Sequence, residues 1–274
     1  MMPEFQRAES EADLSDPPIR DAATIILVRE GTDGVEVLTV RRARDAAFAP
    51  GAYVFPGGRV DDADGEIPVT GRDSDECSRL VGSDLGAAFW GAAARETFEE
   101  SGVLIATTAS GETPAVDIAV ERRRVHSGER RFADLLADVS AGVDAGRIAF
   151  VARWITPRGE ARRFDTRFFL AVGPDGAEAV HDDHETTAAH WVRPAELLAS
   201  AGRGEVFILP PTMANLSWLA GFDSVDAALE AGFARSVDVV APKIIFGDDG
   251  EISIEFEGGE PPVVVRPARN VSDP

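Results

Sequence analysis

The sequence predicts an α/β fold in which a mixed central sheet lies between layers of helices. β-Branched runs alternate along the chain with amphipathic helical segments, so strands and helices are interleaved and not grouped by type. Of the 274 residues, 44% are hydrophobic, which is enough to bury a full core. We therefore expect one large domain, with a smaller appendage.

The first predicted strands form a hairpin. β-Branched runs at residues 22–29 and 35–40 flank a glycine-rich turn at residues 31–34. A short strand follows within residues 50–58, where Gly57 and Gly58 can bring backbone close to a phosphate. Further strands are predicted at residues 103–106, 148–155, 163–172, 188–192, 239–246, 251–256 and 262–265.

The clearest predicted helix spans residues 85–101. Asp84 can cap its start, and Gly102 falls where a left-handed C-terminal cap needs no β-carbon. Residues 112–146 contain two amphipathic segments and are expected to form a helical insertion. Shorter helices are predicted at residues 75–81, 195–200, 213–220 and 225–231.

The predicted domain organisation has three parts. Residues 1–20 are polar and acidic and are expected to be a disordered tail. Residues 21–235 form the main domain, and residues 236–274 form a small β appendage that is also a candidate homodimer contact. The first 20 residues match neither a secretion signal nor a transit peptide, so we expect a cytoplasmic location.

Composition excludes several classes of partner. A formal net charge of −21 repels both nucleic acid and anionic membrane surfaces, so neither is expected as a partner. No stretch reaches about 18 uninterrupted apolar residues, which argues against a membrane span. The single cysteine, Cys77, cannot form an intrachain disulfide.

Three carboxylates on the predicted helix at residues 85–101 are the strongest functional signal. Glu96, Glu99 and Glu100 recur at spacings of three and four residues, so they share one helix face and repel one another without a cation. Oxygen ligands of this kind suit a hard divalent ion. Arg95, four residues before Glu99, can pair with that carboxylate or orient a loop beside it. A solvated acidic helix face is the alternative interpretation.

Residues 95–103, which read Arg-Glu-Thr-Phe-Glu-Glu-Ser-Gly-Val, resemble the C-terminal half of the Nudix box of the Nudix hydrolases. Residues 55–61, Phe-Pro-Gly-Gly-Arg-Val-Asp, resemble its front half, although a long segment separates the two halves. Asp64 stands at the offset of the family's first glutamate. This split box is similar to the branch that contains the peroxisomal coenzyme A diphosphatases, and residues 154–157, 162–170 and 208–212 agree with that branch.

The resemblance implies a Nudix-type α/β/α sandwich and metal-dependent hydrolysis of a diphosphate linkage. Water attacks one phosphorus in line, and a phosphate monoester leaves. The implied metal is Mg²⁺ or Mn²⁺, with Glu96, Glu99 and Glu100 as ligands, of which Glu96 and Glu100 are the firmest.

The resemblance also assigns catalytic roles to Arg95, Glu99 and Glu185. Glu99 either binds the metal or takes the proton of the attacking water. Glu185, ahead of the predicted strand that carries Trp191, is a second candidate base, because an acid in that place serves in several relatives. An acidic solvent loop is the alternative for Glu185.

The net charge of −21 would repel a phosphate-bearing substrate, so such a substrate needs positive side chains or metal ions close to its binding site. The candidate substrate-binding residues are Arg41, Arg42, Gly57, Gly58 and Arg163. The clusters at residues 122–124 and 130–131 are either further contacts to substrate or ordinary surface charge.

The resemblance points to coenzyme A or acyl-coenzyme A as substrate. Residues 38–58 only loosely resemble the element that coenzyme A hydrolases place before the box, and they lack its histidine. NADH, ADP-ribose, diadenosine polyphosphates and nucleotide sugars therefore stay open. A non-catalytic Nudix-fold binding module is the alternative of another class, although such a module has no need of the metal-binding carboxylates.

Overall fold

A computed structural model describes residues 10–43, 49–177, 186–247, 251–256 and 263–266. Within these ranges the strands are β1 Ile19–Gly31, β2 Gly34–Arg42, β3 Tyr53–Val54, β4 Gly57–Arg59, β5 Val69–Thr70, β6 Thr107–Thr108, β7 Ala141–Asp144, β8 Ala149–Ile155, β9 Arg163–Val172, β10 Thr186–Val192, β11 Val239–Val240, β12 Lys243–Phe246, β13 Ile252–Glu255 and β14 Val263–Arg266. The helices are α1 Ser74–Val81, α2 Ala88–Ser101, α3 Ile118–His126, α4 Phe132–Asp138, α5 Pro194–Gly202, α6 Pro210–Leu219 and α7 Val225–Ala234. The predicted α/β class is confirmed.

The chain divides into two compact units. The larger unit comprises Ala22–Ala152 and Arg167–Val237. Its main sheet has the strand order β10-β2-β1-β9-β8, with β3 paired to β2 and β4 paired to β1. The β1–β2 hairpin is antiparallel, as the glycine-rich turn predicts.

Two adjacent residues on β9 show how the helices are layered on this sheet. The ring of Phe169 lies 4.8 Å from that of Trp90 on α2. The next residue, Leu170, meets α7, which packs so closely that a β-carbon on Gly232 would lie 3.1 Å from the Leu170 side chain. Neighbouring side chains on a strand point to opposite faces, so α2 and α7 lie on opposite sides of the sheet.

Helix α2 is alanine-rich and almost wholly buried. It begins at Ala88, three residues later than predicted, and the expected cap at Asp84 is wrong, because Ala87 precedes the helix without a side-chain cap. The predicted end is confirmed: Gly102 has a φ of 73° and its N–H bonds back to the Phe98 carbonyl.

The helical insertion is confirmed as α3 and α4. A strand predicted at residues 103–106 is wrong: Val103 and Leu104 are buried but unpaired in any strand, and only Thr107–Thr108 forms β6. Short apolar runs do not distinguish a strand from irregular core segments. Strand β7 pairs with both β5 and β6.

The smaller unit comprises Met1–Asp21, Arg153–Thr166 and Asp238–Pro274. Here β11 pairs in parallel with Arg153 and Trp154 at the end of β8, and β12, β13 and β14 form an antiparallel sheet. Leu14 packs with Ile244 and Ile252 in a small apolar cluster. Residues 1–9 of the predicted disordered tail lie outside the described residues, and in the remainder of that tail Leu14 makes this apolar contact.

None of the helices in the described ranges combines the length and the hydropathy of a membrane-spanning segment.

Phe169 is predicted to be a main determinant of stability in the larger unit. It is fully buried between Trp90 and Phe150, whose ring lies 5.7 Å away. We expect Phe169→Ala to lower the free energy of unfolding by about 3–5 kcal/mol in urea titrations, because a cavity replaces the ring. Phe207→Ala, at a side chain that is 55% exposed, is the control and should stay within about 0.5 kcal/mol of wild type. Equal losses in the two variants would contradict this packing.

Candidate active site

The C-terminal half of α2 carries the three predicted carboxylates into a partly buried region. The side chains of Glu96 and Glu99 are 15% and 19% exposed. Glu100 is 3% exposed, and its Oε2 accepts a hydrogen bond from the Gly57 N–H at 3.1 Å. The shared face that the spacing predicts therefore lies against the protein and is not a solvated acidic face.

Gly57 and Gly58 lie directly beside these carboxylates. Strand β4 pairs with β1, with Gly57 opposite Thr24 and Gly58 opposite Ala23. A β-carbon on Gly58 would lie 2.4 Å from Cδ of Glu96, so only glycine leaves room for that carboxylate. The double glycine and the helix carboxylates therefore lie side by side, and the predicted approach of this backbone to a phosphate stays a prediction.

Asp64 forms a two-pronged ion pair with Arg95. The Asp64 side chain is 1% exposed, and its carboxylate accepts hydrogen bonds from Arg95 Nε at 2.7 Å and from Nη2 at 3.0 Å. The Arg59 carbonyl accepts a third bond from Nη2 at 3.0 Å. Arg95 thus joins the two halves of the split box.

The remaining nitrogen of Arg95 lies between two of the helix carboxylates. Nη1 donates to Glu96 Oε1 at 2.8 Å and to Glu99 Oε1 at 3.3 Å. Burial opposes the charge on Arg95, but the hydrogen bond to Asp64 and the neighbouring glutamates raise its pKa, so it stays a cation.

The same surroundings make ionisation of the glutamates unfavourable. Burial raises the pKa of Glu96 to about 7, against the opposing charge of Arg95 and with added repulsion from Glu99. Burial also raises the pKa of Glu99, although Arg95 and His126 oppose the shift. A single guanidinium does not neutralise this group of acids, so a further cation would relieve their repulsion.

A divalent metal fits the donors that are present. The Glu100 carboxylate accepts the Gly57 N–H bond and the Glu96 carboxylate lies next to Gly58. Glu99 is joined to Glu96 through Arg95. Oxygen-only donors with excess negative charge are typical of Mg²⁺ and Mn²⁺ sites. Across the described part of the chain, no three His, Cys, Asp or Glu side chains already converge on one point. The ligand set Glu96, Glu99 and Glu100 stays a prediction that requires Glu96 and Glu99 to turn from Arg95.

Helix α3 of the insertion packs against the end of α2. Arg122 Nε donates to the Glu99 carbonyl at 2.8 Å. His126, one helical turn later, partly offsets the rise in the pKa of Glu99 through its charge. Arg124 pairs with Glu121 and Glu129, so its charge is already compensated. Arg130 and Arg131 likewise pair with acids, which favours the surface-charge interpretation for these three arginines.

The other predicted residues are distributed differently. Arg41 and Arg42 are the last residues of β2. The Arg41 guanidinium carbon lies 5.8 Å from the ring centre of Tyr53, which is the residue paired with Arg41 on strand β3. Arg163 belongs to the smaller unit, where it pairs with Asp16 and donates to the Thr156 carbonyl at 3.0 Å. Glu185 lies outside the described residues. The roles assigned to these four residues stay predictions.

Two contacts in the site were not predicted, and only that of Asp64 has a signal in the sequence. The backbone at Asp64 can approach α2 because Gly91, inside that helix, has no side chain. A β-carbon on Gly91 would lie 2.8 Å from the Asp64 carbonyl oxygen. A glycine in a helix interior costs stability and indicates a close approach of backbone. Arg122 gave no distinct signal, because an arginine on an amphipathic helix is ordinarily solvated.

The chain is similar in sequence to several known proteins. A family model described as the NUDT19 Nudix domain matches residues 66–219. The human protein named acyl-coenzyme A diphosphatase NUDT19 is 27% identical over 268 residues, covering 81% of this chain and 71% of that protein. A Caenorhabditis elegans protein named putative nudix hydrolase 7 is 31% identical over 203 residues, which cover 73% of this chain and 60% of the C. elegans protein.

A solved structure shares both sequence and fold. The NUDIX hydrolase from Alicyclobacillus acidocaldarius is 32% identical, with a TM-score of 0.66 over 79% of this chain and 96% of that one. The predicted Nudix-type α/β/α sandwich and the predicted diphosphatase class are thereby confirmed. The chain belongs to the Nudix hydrolases, on the branch whose domain is described as that of NUDT19.

Proposed function

We propose that this chain uses Mg²⁺ or Mn²⁺ to hydrolyse the diphosphate linkage of a nucleoside-diphosphate-linked metabolite, with coenzyme A or acyl-coenzyme A as the first candidate. Water adds to one phosphorus, the bridging oxygen leaves with the other, and each product carries a phosphate. The observation that carries this proposal is the group of carboxylates from α2 that lies against the Gly57–Gly58 backbone.

Each part of the site has a distinct task in this proposal. A bound divalent ion supplies positive charge to the phosphate oxygens and lowers the pKa of a bound water. Glu96 and Glu100 hold that ion, and the narrow backbone at Gly58 leaves space beside Glu96. Glu99 or Glu185 takes the proton from the attacking water.

Support for the substrate comes from the names of two relatives, whereas the net charge of the chain determines what binding requires. Two relatives, from human and Xenopus laevis, are named acyl-coenzyme A diphosphatases. The chain spans 71% and 63% of their lengths. Coenzyme A carries several phosphates, which a chain of net charge −21 would otherwise repel, so binding requires the metal and local arginines such as Arg41 and Arg42.

Turnover is predicted to depend on Glu100. We expect Glu100→Gln to lower kcat/KM on coenzyme A by on the order of 100-fold or more, since an amide binds a divalent ion more weakly than a carboxylate does. Activity is measured as released 3′,5′-ADP with added Mg²⁺ or Mn²⁺, and metal binding as Mn²⁺ bound at equilibrium by spin resonance. Glu196→Gln, at a side chain 63% exposed on α5, is the matched control.

Two results would contradict this assignment. Unchanged turnover in Glu100→Gln would remove Glu100 from the metal site. A wild-type protein that binds a diphosphate tightly but releases no product from coenzyme A, NADH, ADP-ribose, diadenosine polyphosphates or nucleotide sugars would exclude turnover of these substrates.

The space beside Gly58 is predicted to matter for activity but not for folding. A methyl group at Gly58 displaces the end of the flexible Glu96 side chain, which costs little stability. We expect Gly58→Ala to lower kcat/KM by roughly 10- to 100-fold, because the displaced carboxylate no longer holds the cation correctly. Gly65→Ala, where nothing lies within 4 Å of the new methyl group, is the control and should keep wild-type activity. Equal activities in the two variants would argue against this role of Glu96.

Asp64 has a positioning role in this proposal. The Asp64 carboxylate binds Nε and Nη2 of Arg95. Only Nη1 then donates to Glu96 and Glu99. A freed Arg95 could pair fully with those glutamates and compete with the metal for them.

We therefore expect Asp64→Ala to lower the free energy of unfolding by about 3–5 kcal/mol, since it leaves a buried guanidinium without its main partner. It should also raise the Mn²⁺ concentration needed for half-maximal binding by roughly 10-fold or more. Asp62→Ala, at an exposed residue of the same turn, should change neither quantity. A lower free energy of unfolding together with unaltered Mn²⁺ binding would show that Asp64 has a purely structural role and would contradict the positioning role.

A further inference from the structure

A cavity of the larger unit contains an arginine that the reaction does not use. The cavity has a volume of about 140 Å³. We call it the Arg235 pocket, and its lining consists of Arg72, Leu80, Phe150, Gly232, Phe233, Arg235 and Val237. These residues come from the segment that splits the Nudix box, from β8, and from the end of α7 with the residues that follow it.

The frame of the pocket is largely apolar and is closely packed at Phe150 and Gly232. Phe150 packs against Phe169 in the core, with ring centres 5.7 Å apart. Gly232 fixes α7 tightly on the sheet, since a β-carbon there would lie 3.2 Å from Val151. Leu80 and Phe233 are 39% and 45% exposed, so their apolar surface is open to a ligand.

Arg235 is an exposed residue that lacks the carboxylate partner found for many arginines of the described residues. Its guanidinium carbon lies 4.6 Å from the ring centre of Trp218, so the ring covers one face. Its five N–H groups lie at the edge of that plane, where stacking does not satisfy them. No carboxylate of the described residues forms an ion pair with it, and burial lowers its pKa without any opposing charge.

The second arginine of the pocket provides a contrast. Arg72 pairs with Glu76 and donates from Nε to the Ala145 carbonyl at 3.0 Å. Among the described residues that line the cavity, none carries a carboxylate. The charge of Arg72 is therefore compensated locally, whereas that of Arg235 is exposed and has no compensating carboxylate among the described residues.

We propose that the Arg235 pocket binds a small oxyanion carried on an apolar body, such as an aromatic carboxylate or phosphate. A cavity of about 150 Å³ holds a benzene-sized group, which matches the volume here. The ring would contact Leu80, Phe150 and Phe233, and the anion would receive paired N–H bonds from Arg235. Arg72 and Leu80 would thus give part of the box-splitting segment a ligand-binding role.

Calorimetric titration of the full chain tests this proposal with three probes, each of which carries a phenyl ring. Benzoate and phenyl phosphate carry the anion, and benzamide is the neutral counterpart. We expect saturable binding of at least one anion at sub-millimolar to millimolar concentration, in Mg²⁺ and equally in EDTA, because the pocket does not depend on the metal. The preferred anion identifies the carboxylate or the phosphate as the ligand group.

Two variants assign the binding to this pocket. Arg235→Gln should weaken binding by roughly 10- to 100-fold, as expected for the loss of charged hydrogen bonds. Leu80→Trp keeps Arg235 but fills the pocket and should also weaken binding. Arg203→Gln, at an exposed arginine already paired with Glu205, is the control and should bind as wild type does.

Several results would overturn the proposal. These are the absence of saturable binding up to about 10 mM, benzamide binding as tightly as the anions, and equal binding by wild type and a folded Leu80→Trp. Loss of binding in EDTA would assign the anion to a metal-dependent site and would also overturn it. Because none of these readouts is turnover, they leave the proposed hydrolysis untouched.

Discussion

The structure depends on one electrostatic constraint, which is the placement of several carboxylates around a single arginine in a poorly solvated region. Arg95 binds Asp64 with two nitrogens and shares a third between Glu96 and Glu99. Burial raises the pKa of Glu96 to about 7, so ionisation of this carboxylate is less favourable than in water and would be favoured by additional positive charge. The fold maintains this arrangement, and a bound cation would reduce the repulsion among these carboxylates.

Backbone geometry makes that arrangement possible. Gly91 lets the turn that carries Asp64 approach α2, and Gly58 leaves room for the Glu96 carboxylate. The same helix is tied to the insertion through Arg122, which donates to the Glu99 carbonyl. Three segments far apart in sequence therefore meet at one helical turn. The segment that splits the box contributes to the site through Asp64 and is not an inert addition.

Periodicity predicted most of the fold because the long elements have a clear apolar pattern. The β1–β2 hairpin, the end of α2 at Gly102 and the insertion helices follow directly from local residue types. The predictions were wrong where local sequence does not decide. Residues 103–106 are apolar but lack a strand partner, and α2 begins at Ala88 without the expected cap at Asp84.

The site was predictable in part for the same reason. Helical spacing places Glu96, Glu99 and Glu100 together, and the double glycine fits beside them. The bond between Asp64 and Arg95 spans 31 positions in sequence and depends on tertiary packing, which spacing alone does not reveal.

The most direct test of this account is anomalous diffraction from crystals of the chain soaked in Mn²⁺ together with a non-hydrolysable diphosphate. The account predicts a manganese peak within bonding distance of Glu96 and Glu100, with the diphosphate oxygens completing its coordination and Arg95 still held by Asp64. A peak elsewhere, or a bound diphosphate with no metal beside these carboxylates, would contradict it.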